Sequence, residues 1–294
     1  MMNQKPLLGA HFSIAGGLEK ALYRAQRYRC STLQIFTKNA RTWKEKILTD
    51  TEINKFNRAK KETKITRIIS HASYLINIAS NDKEKYQKSK NALRDELLRS
   101  SELGIESVIL HPGSHLDQSA DKGLGIVAQT INSIFAETDK ISSRLVLETT
   151  AGQGTNLGYK FEQLAKMIDK TENKSKIGIC IDTCHIYTAG YDISSYDNTG
   201  KTFEEFDNII GLEHLSVLHL NDSLHKLGSK KDRHDHIGKG FIGKGAFDFI
   251  MQDSRLDSIP KIIETPKNDK EDAKKDMDLV NLKILQDSAK ALAL

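Results

Sequence analysis

The chain has 294 residues, a length at the upper limit of a single hydrophobic core, so one large domain or two small ones are both open. Hydrophobic residues make up 38% and charged residues 28%, a balance that favours a folded protein and argues against a disordered chain or a coiled coil. The net charge of +5, from 44 basic and 39 acidic side chains, is too small for a polycation but is compatible with a local basic surface that faces phosphate.

The cysteines and the apolar stretches indicate the compartment. Cys30, Cys180 and Cys184 are too few for a disulfide framework and are typical of a reducing environment. The first residues, MMNQKPLLGAHFS, lack the long apolar stretch of a secretory signal. No stretch approaches the roughly 20 apolar residues that a membrane span needs. We therefore expect a soluble, cytoplasmic protein.

Short apolar or β-branched runs recur along the chain, each near the length of a buried parallel strand. The candidate strands are LLGAH (7–11), LQIFT (33–37), RIISH (67–71), SVILH (107–111), RLVLE (144–148), IGICID (177–182), SVLHL (216–220) and KIIE (261–264). Helical periods separate them, with apolar residues at i, i+3, i+4 and i+7 over 18–25 and 161–168. A further helix, through Leu93 and Leu97, is expected to end near Gly104.

Eight strand–helix units predict a TIM (β/α)₈ barrel, which typically needs about 250 residues. No break in composition marks a second domain, so we expect one barrel domain over residues 1–294. The alternative is a doubly wound open sheet. That fold usually has a GxGxxG turn after its first strand, and the turn here, HFSIAGG, lacks it.

The predicted strands end in an unusual set of side chains: His11, Thr37, His71, His111, Glu148, Asp182, His219 and Glu264. All strand ends of a parallel barrel lie at one face, the face that carries active sites, so these side chains should converge. Several carboxylates brought close together raise one another's pKa values unless a cation neutralises them. Imidazoles and carboxylates without thiolates suit Zn²⁺ and, less selectively, Mn²⁺ or Fe²⁺.

Two further pairs extend this set. Asp182 and His185 lie about one turn apart, and Asp232 and His234 lie on one side of an extended segment in the loop after His219. The candidate metal ligands are then His71, His111, Glu148, Asp182, His185, His219, Asp232, His234 and Glu264. They are too many for one ion, whereas three ions can share them if some carboxylates bridge.

Other residues near the strand ends have simpler interpretations. Cys180 lies in an apolar strand and is interpreted as a small core residue. Cys184 is a less favoured metal ligand because no second thiolate lies near it. His11 is left open between a residue that supports the ligands and a phosphate contact. The histidines without a strand-end position are interpreted as surface or loop residues: His115, His214, His225 and His236.

Long motifs in a fixed order carry a family resemblance. They are FTKNARTW (36–43), HASYLIN (71–77), HPGSHL (111–116), ETTAGQGTNLG (148–158), CIDTCH (180–185), HLND (219–222), DRHDHIGKGFIG (232–243) and IIET (262–265). Together they resemble the endonuclease IV family of apurinic/apyrimidinic (AP) endonucleases. The resemblance implies a TIM barrel with three zinc ions that cuts DNA on the 5′ side of an abasic site, leaving a 3′-hydroxyl and a 5′-deoxyribose phosphate.

The resemblance also implies how the ligands share the ions. The first zinc would be held by His71, His111 and Glu148, the second by Glu148, Asp182, His219 and Glu264, and the third by His185, Asp232 and His234. We assign Glu148 the catalytic roles of bridging two ions and orienting the nucleophile.

The resemblance further implies that Arg41, Tyr74 and Leu75 enter the DNA at the lesion, as wedge residues do in other proteins. An abasic nucleotide has lost its stacking, so rotating it out of the duplex costs less than for an intact one. Ala40 stands where relatives often carry a polar residue, which predicts weaker contacts to the gap. The lysine-rich loop 225–245 is a candidate for phosphate contacts, with a solvated surface as the alternative.

Two other functions fit part of this pattern. Metal-dependent sugar isomerases and epimerases also use a TIM barrel with His, Asp and Glu at strand ends, but they have no need of Asp232, His234 or the Arg41 and Tyr74 loops. A non-catalytic lesion-binding protein would be expected to have lost a ligand, and none is missing here. The preferred hypothesis is a monomeric, zinc-dependent AP endonuclease of base excision repair that acts on double-stranded DNA.

Overall fold

Parallel strands formed by buried apolar runs build the centre of the molecule. In the computed structural model these are β1 (Leu8–Ala10), β2 (Thr32–Ile35), β3 (Arg67–His71), β4 (Ser107–Leu110), β5 (Arg144–Glu148), β6 (Ile177–Asp182), β7 (Leu215–His219) and β10 (Lys261–Ile263). They form one eight-stranded sheet in the order β1-β10-β7-β6-β5-β4-β3-β2. The predicted TIM-barrel fold is confirmed. A two-stranded antiparallel ribbon, β8 (Asp222–Ser223) and β9 (His234–Asp235), follows β7.

The structure describes residues 6–43, 47–269, 272 and 274–290. Both ends of the expected domain 1–294 lie outside these ranges. So does the start of the N-terminal segment in which a secretory signal was sought. Every predicted strand has an observed counterpart, but several observed strands are shorter. His11, Thr37, His111 and Glu264 therefore lie one or two residues beyond the strand ends.

The barrel closes between its first two strands through a single parallel bridge, His11 to Gln34. The N–H of Phe12 donates to the carbonyl of Gln34 at 2.9 Å. Gly9 allows this approach, because a Cβ at that position would lie 2.0 Å from the carbonyl oxygen of Thr32. The closure brings the side chains of β1 and β2 beside those of β10.

Helices connect the strands and cover the barrel. They are α1 (Leu18–Arg27), α2 (Asp50–Thr63), α3 (Lys83–Glu102), α4 (Ala120–Glu137), α5 (Phe161–Asp169), α6 (Thr183–Ala189), α7 (Tyr196–Ile209), α8 (Lys244–Gln252) and α9 (Met277–Lys290). Local signals set their ends: Thr49 and Glu52 form a capping box before α2, and Gly104, with φ of 62°, follows α3 as predicted. Within the described residues, no helix is both long and apolar enough to cross a membrane.

The barrel interior has two successive levels that explain where the site lies. The lower level is an apolar cluster formed by Ile69, Ile109, Val146, Cys180, Val217 and Ile262. Two residues further along each of the same chain segments stand His71, His111, Glu148, Asp182, His219 and Glu264. Side chains alternate along a strand with a period of two, so both sets face the interior. The second set is one level nearer the carboxyl ends.

Candidate metal centre

The side chains at the carboxyl ends of the strands meet in five groups among the described residues, in each of which the candidate ligand atoms lie within 4.8 Å of one another. Two of these groups include a cysteine, Cys180 with Glu148 and His219 and Cys184 with Asp182 and His234, and the other three contain only histidines and carboxylates. Group one is His71, His111 and Glu148; group two is Glu148, Asp182, His219 and Glu264; group three is His185, Asp232 and His234. The structure therefore brings every predicted ligand into a group, although the ligands come from distant parts of the chain.

Glu148 is fully buried and belongs to two of the groups. Its Oε2 lies 2.9 Å from Nε2 of His111 and 3.1 Å from Nε2 of His71. Its Oε1 lies 2.8 Å from Nδ1 of His219. With one oxygen directed to each group, this carboxylate has the geometry to bridge two cations.

Asp182 connects the local fold to groups two and three. It ends β6 and caps α6, where its Oδ1 accepts a hydrogen bond from the N–H of His185 at 3.0 Å. Its Oδ2 faces Nδ1 of His219 at 3.8 Å and Nε2 of His234 at 3.6 Å. The cap places His185 on the first turn of α6, where its ring also faces the site.

Three of the candidate histidine rings are held from outside the groups by main-chain carbonyls. The Nδ1–H donors and their acceptors are His71 to Ala72 at 2.7 Å, His185 to Thr149 at 2.8 Å and His234 to Glu264 at 3.3 Å. A neutral ring that donates from Nδ1 keeps a free lone pair on Nε2. In these three rings that lone pair is directed into the site, which is the arrangement found around metal-ligating histidines.

The free lone pairs test whether the site suits a metal ion. Nε2 of His185 and Nε2 of His234 are buried and have no hydrogen-bond partner among the described residues. Nε2 of His185 faces Oδ2 of Asp232 at 3.2 Å. Two electron-rich atoms so close repel unless a proton or a metal ion lies between them. A donor set of imidazole nitrogens and carboxylate oxygens is one that zinc prefers, so these buried groups can bind metal ions.

The electrostatics of the site also favour positive charge. Burial by itself would raise the pKa of Glu148, but His111 and His219 beside it hold that pKa well below its usual range. Burial opposes protonation of His185, yet Asp182, Asp232 and Glu148 raise its pKa well above the ordinary value.

Asp232 follows the same pattern at the more exposed edge of the site. Its burial is outweighed mainly by His185, and the pKa of the carboxyl falls to about 2. Glu148 and Asp232 therefore stay ionised, which attracts cations to the site.

The three groups line a cup at the carboxyl ends of the strands. The residues predicted to contact DNA lie on the loops beside this cup. The side chain of Tyr74 is 60% exposed, and its ring packs 5.0 Å from the ring of His71 and 5.4 Å from that of His111. Leu75 is 39% exposed, and Arg41 is exposed on the loop after β2. Large apolar surface left open next to a polar cup is a feature of binding sites.

A buried hydroxyl connects the two loops that carry these residues. The Oγ of Ser73 donates to the carbonyl of Ala40 at 2.5 Å and accepts from the N–H of Leu75 at 3.2 Å. Thr37, predicted as a strand end, lies outside the cup, where its hydroxyl donates to the buried carboxylate of Glu96 at 2.8 Å. The loop after β2 is thus anchored both to α3 and to the loop after β3.

The lysine-rich loop 225–245 forms one side of the same face. Its exposed cations are Lys226, Lys230, Lys231, Arg233, Lys239 and Lys244. It is anchored by main-chain bonds from Gly228 to Tyr187 and from Lys230 to Thr188. Trp43, beside Arg41, is half-buried and packs against the core, with Nζ of Lys88 lying 4.7 Å from its ring centre.

The remaining candidates have structural surroundings. Cys180 is a core residue, as expected, and burial raises its pKa to about 12. The Sγ of Cys184 lies near ligand atoms of Asp182 and His234, but burial raises the pKa of this thiol, which disfavours a thiolate. His236 lies in a loop, one of the two positions expected for it, and is buried beside Asn281 instead of lying at the surface.

Two functional candidates were not found from the sequence, Gln34 and Asn221. Both are fully buried amides that contact group two. Gln34 bonds Glu264 and His219, and the Nδ2 of Asn221 donates to Oδ2 of Asp182 at 2.7 Å. The only signal for Gln34 is a polar residue that interrupts the apolar run LQIFT. Asn221 lies in the motif HLND, but the sequence gives no indication that its partner is Asp182.

Comparisons with known proteins agree with this geometry. Residues 22–283 match the family model described as a xylose isomerase-like TIM barrel. The chain is 45% identical to a "Probable endonuclease 4" from Geotalea daltonii, over 97% of this chain and 99% of that protein. It is 32% identical to the endonuclease IV of Thermus thermophilus, whose crystal structure it matches with a TM-score of 0.83 over 97% of this chain and 99% of that one. A D-tagatose 3-epimerase-like protein, 18% identical with a TM-score of 0.73 over 97% and 98% of the two chains, shares the fold.

Proposed function

The chain belongs to the endonuclease IV family, which makes it a DNA phosphodiester hydrolase, and on that premise we propose that it is a zinc-dependent AP endonuclease. It would hydrolyse the phosphodiester 5′ to an abasic site in double-stranded DNA. The products would be a 3′-hydroxyl and a 5′-deoxyribose phosphate, as in base excision repair. The whole chain, residues 1–294, would act as one domain and as a monomer.

The observation that carries this proposal is the sharing of Glu148 between groups one and two, beside group three. One zinc ion in each group accounts for all the ligands, with Glu148 as the bridge. Glu148, Asp182, Asp232 and Glu264 bring four negative charges and three zinc ions bring six positive charges, so the occupied site has a net charge of about +2. A site of this charge attracts an anionic phosphodiester, whereas the carboxylates alone would repel it.

Zinc ions, when bound, lower the pKa of coordinated water to about 7 and offset the charge that develops on a phosphodiester. The protein residues supply position. Glu148 is fully buried and contacted on both oxygens, so its carboxylate cannot rotate away. We assign it the orientation of the nucleophile beside the scissile bond. His71 and His185 keep their lone pairs directed inward because their opposite nitrogens donate to carbonyls.

Selection of an abasic site is assigned to the residues beside the cup. Tyr74 and Leu75 present apolar surface where a base would otherwise stack, and Arg41 is exposed on the neighbouring loop. An abasic nucleotide leaves the stack at lower cost than an intact one, so side chains that fill the gap favour the lesion. Ala40 offers no side-chain polar group at this position, which predicts weaker contacts to the gap.

We place the protein in the cytoplasm, for which the three buried cysteines are the support, since none of them is in a disulfide and reduced thiols are typical of a reducing compartment. The exposed cations of the loop 225–245 are assigned to phosphate contacts along the duplex. Binding should therefore weaken as the salt concentration rises.

The test uses a fluorescent duplex with one tetrahydrofuran abasic mimic, the same duplex without the mimic, and a free ketose. We expect one incision on the 5′ side of the mimic, lost after treatment with a zinc chelator and regained with added zinc. Elemental analysis should find three zinc ions per chain. Conversion of the ketose with the duplex left whole would favour an epimerase. Binding without incision by the zinc-loaded protein would indicate a lesion-binding protein.

A further inference from the structure

Gln34 is a buried amide at the lower level of the barrel interior. Six other strands contribute an apolar residue at that level. Gln34 is fully buried on β2, and its Cα pairs in register with that of Ile69, a member of the apolar cluster inside the barrel. A buried amide costs free energy unless hydrogen bonds satisfy it. The position therefore needs a reason other than core packing.

The partners of Gln34 supply that reason. Its Nε2 donates to Oε1 of Glu264 at 2.6 Å and to Nδ1 of His11 at 2.9 Å. Its Oε1 accepts from Nε2 of His219 at 2.7 Å. Both hydrogens of the amide nitrogen and a lone pair of its oxygen are thus used, and two of the three partners are candidate ligands of group two.

The hydrogen bond to His219 decides which ring nitrogen faces the site. Because Nε2 carries the hydrogen donated to Gln34, Nδ1 is the ring nitrogen that faces the site, 2.8 Å from Oε1 of Glu148 and 3.2 Å from Oε2 of Glu264. The hydrogen bond to Glu264 has a matching effect, since it holds Oε1 and leaves Oε2 toward the site. One amide therefore orients two side chains of the same group.

Gln34 differs from the groups that hold three of the other histidine rings. His71, His185 and His234 are oriented by main-chain carbonyls, which a side-chain substitution does not remove. His219 depends instead on a side chain. The contact also explains His11, which lies at the closure of the barrel and accepts the second hydrogen of the amide.

We propose that Gln34 is a positioning residue that sets the tautomer of His219 and the orientation of Glu264, and so determines how tightly group two holds its metal ion. This inference rests on the proposed function, because it requires an ion in group two. A side chain of similar length that cannot form hydrogen bonds should leave both ligands unrestrained, and loss of such outer contacts weakens metal binding about 10–100-fold.

The experiment compares zinc affinity and ring tautomers in the wild-type chain and two variants, Gln34→Met and Gln34→Glu. Zinc retained per chain is measured against a series of chelator concentrations, and ¹⁵N NMR of the zinc-loaded proteins reports which nitrogen of His219 carries hydrogen. In Gln34→Met we expect one of three ions to be held about 10–100-fold more weakly and the Nε2–H signature of His219 to be lost. In Gln34→Glu the acceptor for His219 remains, so the signature should persist while affinity still falls through Glu264.

Asn281→Ala is the matched control. Asn281 is also a fully buried amide, and it bonds Thr265, His236 and the main chain of Ile237 outside the three groups. We expect it to retain three ions at wild-type affinity. Equal losses in the control and in Gln34→Met, or wild-type affinity and an unchanged His219 signature in Gln34→Met, would overturn the role of Gln34 while leaving the proposed function intact. A wild-type chain that retains no zinc would overturn the proposed function and this inference with it.

Discussion

Nδ1 of His219 lies 2.8 Å from Oε1 of Glu148, although 71 positions separate the two residues in the chain. The opposite oxygen of the same carboxylate contacts the histidines of group one. Glu148 is therefore the junction between the two most buried groups of the site.

Replacing this junction gives the first prediction. In Glu148→Gln the amide nitrogen is a donor that cannot ligate a cation, so one group loses its shared oxygen and the site loses one negative charge. We expect the variant to fold, to retain fewer than three zinc ions and to lose at least about 10²–10³-fold in kcat. Circular dichroism, elemental analysis and incision assays measure the three effects. Wild-type incision by this variant would show that Glu148 has neither assigned role.

Tyr74 provides a prediction about selectivity. Its ring packs on His71 and is 60% exposed at the edge of the cup, where it can fill the gap left by a missing base. Tyr74→Ala should reduce the preference for abasic over intact duplex by about tenfold or more, since stacking on an aromatic ring contributes about 1–3 kcal/mol. Competition binding with the two duplexes measures the preference.

Tyr196→Ala is the control for this change, because Tyr196 is 43% exposed on α7 and packs on Phe249 instead of on the site. Its duplex preference should match that of the wild type. If the two alanine variants discriminate equally well, Tyr74 does not contribute to lesion recognition.

Ser73 gives a prediction about the connection between the loop after β2, which carries Arg41, and the loop after β3, which carries Tyr74 and Leu75. Ser73→Ala removes the hydrogen bonds to Ala40 and Leu75, each worth about 1 kcal/mol. We expect KM for the abasic duplex to rise about 3–10-fold, with the zinc content unchanged, because the loops lose alignment while the ligands do not. The control is Ser143→Ala. Ser143 lies just before β5, far from these loops, and its buried hydroxyl donates to the carbonyl of Ile105, so its removal should leave KM unchanged. A similar KM in all three proteins would mean that the connection has no part in binding.

Lys261 gives a prediction about stability and pH. Burial at the start of β10 lowers its pKa to about 8, from an ordinary value of 10.5, and its Nζ donates to the carbonyls of Leu256 and Ile259. The folded chain therefore gives up this proton at a lower pH than the unfolded chain. Between about pH 8 and 10.5 the unfolded state binds more protons, so this residue makes the free energy of unfolding rise with pH, by an amount on the order of 3 kcal/mol.

Denaturant unfolding of the wild type and Lys261→Met at several pH values measures this contribution. The difference in unfolding free energy between the two proteins should change in favour of the wild type as pH increases through that window. Parallel curves would show that Lys261 keeps an ordinary pKa in the folded chain.

Much of the fold was predictable because the signals are local. Apolar runs of strand length alternate with helical periods, and each predicted strand has a counterpart in the barrel. The strand ends were less predictable: Thr37 follows β2 but contacts Glu96 on α3, and His111 and Glu264 lie just beyond their strands. A strand ends where its hydrogen bonds to the neighbouring strand stop. That point depends on the neighbouring strand and cannot be predicted from a local sequence pattern.

The six candidate ligands that end the barrel strands were predictable as a set, since parallel strands end at one face whatever the details of packing. Their assignment to particular zinc ions came from the resemblance and stays a proposal. Gln34 and Asn221 could not be found in the same way. A single amide in an apolar run is compatible with many structures, and only its partners reveal its role.

The amino-acid sequence by itself determined the alternation of strands and helices and the residue types that follow each strand, because both depend on neighbours a few positions apart. The tertiary structure decided which atoms face one another: the two oxygens of Glu148, the inward lone pair of His219 and the amide of Gln34 that holds it. These distances depend on the closure of β1 against β2 and on the register of all eight strands, which involve residues far apart in the chain.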